Sequence, residues 1–152
     1  MKGYLNQPEQ TAQVLQNGWY QTGDLAILDH EGFIRITGRR SRFSKIGGEM
    51  VPHLRVEEVL RQVLHLQDED RPQLAVTGVP HPTKGEQLVV LHTGLPQPPA
   101  EICRLLAQAG LPPLWIPSPE NFRQVESIPV LATGKLDLRA LNQLAQNLLI
   151  QN

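Results

Sequence analysis

Two apolar runs, Leu74-Ala75-Val76-Thr77-Gly78-Val79 and Gln87-Leu88-Val89-Val90-Leu91-His92, constrain the fold of this chain more than any other feature. Each has the length and composition of a strand, and a Pro/Gly-containing loop from Pro80 to Glu86 joins them. On the N-terminal side, Val56, Val59, Leu60, Val63 and Leu64 recur at helical spacing, with Pro52 suitably placed at the helix start. On the C-terminal side, Pro99 to Ala109 reads as a second helix that Gly110 stops. Phe122 to Glu126 is a short third strand. Leu138 to Leu149 is a closing helix with Asp137 as its N-cap. Helix, strand, strand, helix, strand, helix predicts an α+β fold, a small mixed sheet of about three strands flanked by helices.

The first third of the chain is different. Residues 1–22 are polar and lack sustained periodicity, apart from a short helix around Pro8 to Leu15. Leu25-Ala26-Ile27-Leu28 and Phe33-Ile34-Arg35-Ile36 flank Asp29-His30-Glu31-Gly32, which reads as a β-hairpin preceding the sheet. The basic stretch Gly38 to Lys45 then joins two units, and the pair Gly47-Gly48 permits backbone conformations that other residues resist.

The charge balance of −1 offers no global attraction for nucleic acid or membranes. Arg35, Arg39, Arg40, Arg42 and Lys45 are clustered, but only Phe43 is interleaved as a stacking aromatic, so no nucleic-acid partner is expected. Cys103 is the sole cysteine and lies among Ile102, Leu105 and Leu106, as a small buried thiol would. His30, His53, His65, His81 and His92 lack zinc-ligand spacing, so no metal site built from side chains is expected. No apolar run is long enough to span a bilayer, and the start lacks the apolar core of a signal peptide. The expected location is cytoplasmic, with membrane association only through other domains.

Three short clusters carry chemistry, each with a bland alternative. Pro129 to Arg139 places Lys135 on a Thr-Gly-Lys turn, where an ammonium can meet a phosphate or a developing negative charge. The same residues also read as a surface turn with a solvated lysine. A Walker A loop is excluded, because Pro129 stands where glycine is needed and Leu136 where Ser or Thr is needed. In Gly18 to Asp24, the Asp24 carboxylate can accept from both hydroxyls of a ribose, or it can cap local amides. Arg39, in Gly38-Arg39, can fork onto a phosphate or ribose, or remain solvated.

Order and spacing go further than any single cluster. Gly3-Tyr4-Leu5, Pro8-Glu9-Gln10-Thr11, Gly18 to Asp24, Gly38-Arg39 with Lys45 and Gly48, Gly78-Val79-Pro80, Gly85-Glu86 and Pro129 to Arg139 follow one another along the chain. Together they resemble the C-terminal part of the adenylate-forming superfamily of acyl-CoA and acyl-ACP synthetases, peptide-synthetase adenylation domains and luciferases. The resemblance covers essentially the whole chain. The wording Lys45 to Val51 is most similar to the acyl-ACP synthetase/2-acylglycerophosphoethanolamine acyltransferase subgroup.

The resemblance implies an ATP-dependent ligase that forms acyl-AMP from a carboxylic acid, a fatty acid being expected. The acyl group then passes to a thiol, CoA or the phosphopantetheine of acyl carrier protein, with coupling to lysophospholipid acylation through a fused acyltransferase. ATP and Mg2+ serve the full-length enzyme. By resemblance Asp24 holds the ribose hydroxyls and Arg39 contacts the nucleotide. Lys135 is the catalytic lysine beside the carboxylate and α-phosphate, and Gly48 flanks the pantetheine path. The hinge falls at Arg40 and Ser41, where Ser41 replaces the more usual aspartate.

On the same basis, residues 1–38, including the hairpin 25–37, end the large AMP-binding domain, and 39–152 form the mobile C-terminal domain. The upstream AMP-binding domain is then the main partner, and the isolated fragment is predicted to be inactive. The apolar face of the orphaned hairpin calls for another partner, the body of this chain or a second copy. The competing reading is a non-catalytic module of the same fold that docks a carrier protein or other partner.

Overall fold

In a computed structural model, residues 1–67 and 71–150 are described, with Thr37 and Arg40 described by backbone alone. The chain divides into two compact units, Met1–Ser41 and Arg42–Asn152.

The first unit contains helix α1 (Pro8–Val14), strands β1 (Leu15–Gln16) and β2 (Trp19–Tyr20), and the hairpin β3 (Asp24–Leu28) and β4 (Ile34–Arg39). Strands β1 and β2 pair antiparallel, and the Tyr4 and Tyr20 hydroxyls meet at 3.0 Å. The β3–β4 turn forms where the sequence predicts it, because Asp29 Oδ1 accepts from the Glu31 and Phe33 amides at 3.0 and 2.9 Å. Helix α1 has no buried residue, and Ile27, Leu28, Phe33, Ile34 and Ile36 are all exposed.

The second unit is built around one sheet. Its elements are β5 (Phe43–Ile46), β6 (Glu49–Pro52), α2 (His53–Leu64), β7 (Leu74–His81), β8 (Gly85–His92), α3 (Pro99–Gln108), β9 (Phe122–Gln124) and α4 (Leu138–Ile150). The strand order is β6-β5-β8-β7, with β9 also paired to β8. Strand β8 meets β7 along its whole length on one side. On the other side it meets β5 only at Gly85, through Ile46, and β9 in parallel at Val90 to His92.

Side chains alternate across this sheet. Leu74, Val76, Leu88 and Val90 pack with Val56, Leu60 and Leu64 of α2 and with Ile102 and Leu106 of α3. Ala75, Val79, Val89 and Leu91 pack with Ile128 and with Leu141 and Ala145 of α4. Each fully buried Leu or Val contributes roughly 1.5–3 kcal/mol. Helix α2 ends without a glycine: His65 takes the left-handed conformation (φ 52°), and the Leu66 amide reaches back to the Arg61 carbonyl at 3.1 Å. Among the described residues no helix is long and apolar enough to cross a membrane.

The α+β class and all four predicted helices are present, but the sheet has five strands rather than about three. The additional pair is β5–β6, drawn from a stretch that reads as a basic connector. Phe43 to Ile46 pair with Glu49 to Pro52 across the two-residue loop Gly47-Gly48. Both loop residues have positive φ, 57° and 93°, as a type I′ turn requires. The loop between β7 and β8 is also shorter than Pro80 to Glu86, since only residues 82–84 lie outside the ladder. Pro80 is accommodated near the end of β7, an edge strand. Cys103 is half-buried rather than buried, with Sγ 3.1 Å from the Pro117 carbonyl oxygen.

Candidate functional site

In the first unit, Asp24 and Arg39 lie directly opposite each other across β3 and β4. Arg39 Nε stands 2.8 Å from Asp24 Oδ1, with Asp24 mostly shielded and Arg39 exposed. The carboxylate therefore takes a guanidinium as its partner, in an orientation fixed by the ladder. The Asp24 amide donates to Thr22 Oγ1 at 3.1 Å, tying the strand entrance to the preceding turn. A carboxylate oriented by arginine, with acceptor capacity left, can receive a vicinal diol, and the remaining guanidinium N–H groups can meet an anion beside it.

In the second unit, Lys135 occupies a loop that its own backbone closes. An isolated bridge joins Val130 and Leu136. The Leu131 amide donates to the Lys135 carbonyl at 2.7 Å, Gly134 to Leu131 at 2.9 Å and Asp137 to Pro129 at 3.0 Å. Behind the loop, Asp137 Oδ1 accepts from the Arg139 and Ala140 amides at 3.1 and 3.0 Å, which starts α4 as the sequence predicts. The Lys135 side chain is exposed on this braced loop. A cation presented in this way is free to meet an anionic ligand.

Gly48 and Lys135 are not brought together. The Gly47 amide donates to the Lys84 carbonyl at 2.9 Å, which puts the Gly47-Gly48 turn at the Gly85 end of β8. Pro129 and Val130, at the base of the lysine loop, share a cleft with Gln73 and Thr93, beyond the opposite ends of β7 and β8. Eight residues of strand, at about 3.3 Å each, separate these two ends by roughly 23 Å.

Ser41 closes the first unit and Arg42 opens the second. Arg42 reads in the sequence as one of a surface cluster, yet its side chain is buried. Its Nη2 stands 2.5 Å from Glu57 Oε2, a charge-to-charge contact without an aligned N–H, while Nη1 donates weakly to the Val76 carbonyl at 3.4 Å. Glu57 Oε1 also accepts from the Val76 amide at 2.7 Å. Beside this pair, Ser44 Oγ and His53 Nε2 share a hydrogen bond of 2.8 Å. Burial, reinforced by the Arg42 charge, pushes the His53 imidazole down to about 4. Ser44 Oγ lies over Gly78, where an added Cβ would come within 1.8 Å of it. Nothing in the sequence marks this polar cluster. The only local signal is alternation, which places Arg42 and Ser44 on the same side as Ile46.

No family model matches the chain. It is 36% identical over 144 residues to a long-chain-fatty-acid–CoA ligase of Bacillus subtilis strain 168, covering 93% of this chain and 24% of that protein. It is likewise 36% identical over 146 residues to a 2-succinylbenzoate–CoA ligase of Geobacillus kaustophilus, covering 94% of this chain and 28% of the relative. Among solved structures, the o-succinylbenzoate CoA synthetase of Bacillus subtilis, in complex with its acyl-adenylate intermediate, matches with a TM-score of 0.73 at 29% identity. That match covers 93% of this chain and 28% of the other. The chain thus spans about a quarter of the length of the curated relatives it matches.

Proposed function

We propose that this chain, which belongs to the adenylate-forming superfamily, serves as the C-terminal part of an ATP-dependent acid–thiol ligase. The observation that carries the reading is the placement of Lys135 and Gly48 at opposite ends of one sheet. A ligase of this kind runs two half-reactions at one site. In the first, a carboxylate oxygen attacks the α-phosphorus of ATP, forming acyl-AMP and expelling pyrophosphate. In the second, a thiol attacks the acyl carbon and expels AMP. A domain with a cation at one end and a glycine turn at the other can present each end in turn.

In the first half-reaction, Lys135 sits between the carboxylate and the α-phosphate, offsetting negative charge as it shifts during in-line displacement. Asp24 holds the ribose hydroxyls, and Arg39 both orients that carboxylate and contacts the nucleotide. In the second, the Gly47-Gly48 turn faces the thiol, and its lack of side chains leaves room for a pantetheine arm. Reorientation takes place at Arg40 and Ser41, where the two units meet in sequence. The exposed apolar residues of the β3–β4 hairpin suit the edge of a larger upstream domain that would cover them.

The thiol is CoA by analogy with the relatives, and the acid is a fatty acid by analogy with the Bacillus subtilis ligase. The Lys45 to Val51 wording argues further for acyl carrier protein as the acceptor and a lysophospholipid as the final acyl destination. Lys135→Ala in the full-length protein tests the assignment. Pyrophosphate release should fall by two orders of magnitude or more, on the scale of losing one electrostatic stabiliser. Thioester formation from supplied acyl-AMP should survive. Undiminished adenylation refutes the role of Lys135 and favours a docking module.

A further inference from the structure

We infer that His81 is a positioning residue for the thiol-transfer half-reaction, acting through Lys84 on the Gly47-Gly48 turn; the inference rests on the ligase reading above. The β5–β6 hairpin is anchored by the buried side chains of Ser44, Ile46 and Val51, but its backbone meets the rest of the sheet in one place. Its only ladder pairing with β8 is Ile46 with Gly85. Two further bonds reach the same place: the Gly47 amide donates to the Lys84 carbonyl at 2.9 Å, and the Lys45 amide donates to Glu86 Oε2 at 2.6 Å. The strands approach closely at Gly85, where an added Cβ would stand 3.1 Å from the Lys45 carbonyl oxygen. The backbone of the glycine turn is therefore bonded to the sheet at the tip of the β7–β8 hairpin.

The tip is held by an imidazole. His81 Nδ1 accepts from the amides of Thr83 and Lys84, each at 3.2 Å. Accepting at Nδ1 leaves the ring proton on Nε2 in the neutral form. A side-chain acceptor that binds amides two and three residues ahead does the work an aspartate or asparagine does in an Asx turn. It fixes the Thr83–Lys84 peptide, one residue before the Lys84 carbonyl that accepts from Gly47. The path from ring to turn is short: Nδ1, the Lys84 amide, the Lys84 carbonyl, the Gly47 amide. Each link lies in the second unit, at the end of the sheet remote from the lysine loop.

The position makes the two half-reactions separable. In the full-length ligase, His81→Ala should lower kcat for thiol transfer from supplied acyl-AMP by about tenfold, as expected when a guiding element is slightly misplaced. Pyrophosphate release in the first half-reaction should stay within twofold of wild type. His81→Asn, which restores an acceptor for the same two amides, should recover most of the transfer rate. Amide hydrogen exchange at Gly47 should quicken in His81→Ala and return towards wild type in His81→Asn, a readout that this 152-residue chain itself can supply. Equal transfer rates in Ala and wild type overturn the inference, as does equal loss of both half-reactions or failure of Asn to rescue. A wild-type full-length protein that forms no acyl-AMP with any acid sinks the ligase reading, and this inference with it. Altered Gly47 exchange would then mark His81 as a structural residue only.

Discussion

Lowering the pH should destabilise the second unit through His53, by an amount the structure allows to be worked out. The ring is 4% exposed, is bonded to Ser44, and sits near a buried arginine. Its folded-state pKa is about 4, against 6.5 for the free side chain. Above 6.5 the ring is neutral in folded and unfolded chains alike, so it adds no pH dependence. Between 6.5 and 4 the unfolded chain takes up a proton that the folded one refuses. Stability therefore falls as pH falls through that window, by about 1.4 kcal/mol per unit. The full window amounts to roughly 3 kcal/mol, and from pH 7 to pH 5 the loss is about 2 kcal/mol. That is a large share of the 5–15 kcal/mol typical of a domain. Urea unfolding at pH 7, 6 and 5 reads it directly. Trp115 packs on the core of the second unit while Trp19 is exposed in the first, so a Trp19→Phe background isolates the relevant signal. His92 is also pushed down by burial and adds a slope of the same sign, so the comparison is with His53→Gln in that background. The variant should lose most of the pH dependence between 7 and 5. Parallel dependences in the two proteins would refute the argument.

Two further outcomes follow from packing and capping. Gly78→Ala should destabilise the second unit by about 1–3 kcal/mol, because its Cβ would collide with Ser44 Oγ; Ser44→Gly in the same chain should relieve part of that cost in a double-mutant cycle read by urea unfolding. Asp137→Ala removes the acceptor for two α4 amides and should cost about 1 kcal/mol, visible as a lowered thermal midpoint.

What the sequence disclosed follows the range of the forces involved. Helices α2, α3 and α4 are legible because their apolar spacing and their Pro, Gly or Asp boundaries are local. The β3–β4 turn is legible because Asp29 and Gly32 act within four residues. Strands β5 and β6 are not, since Ser44 and Lys45 interrupt their apolar character and the partner that completes them, Gly85, is some forty residues away. Only the two-residue Gly-Gly spacing hinted at a hairpin. The candidate site divides in the same way. Asp24, Arg39 and Lys135 stand out through short motifs, but the opposition of Asp24 to Arg39 depends on a one-residue register shift between Leu25 and Ala26 that the turn alone does not announce. That Arg42 is buried against Glu57 depends on tertiary approach that no local pattern encodes, whereas the His81 turn is local but uses histidine where a turn acceptor is usually Asp or Asn.

The burial of Arg42 has a mechanical consequence. Arg39 is held in the first unit by Asp24, and Arg42 is held in the second by Glu57. Only Arg40 and Ser41 lie between these anchors, so the covalent tether amounts to about four soft torsions. Spanning three peptide units, it can extend to no more than about 11 Å. A tether this short gives each unit a high effective concentration for the other. A substitution that freed Arg42 would lengthen the tether rather than break it, and so lower that effective concentration.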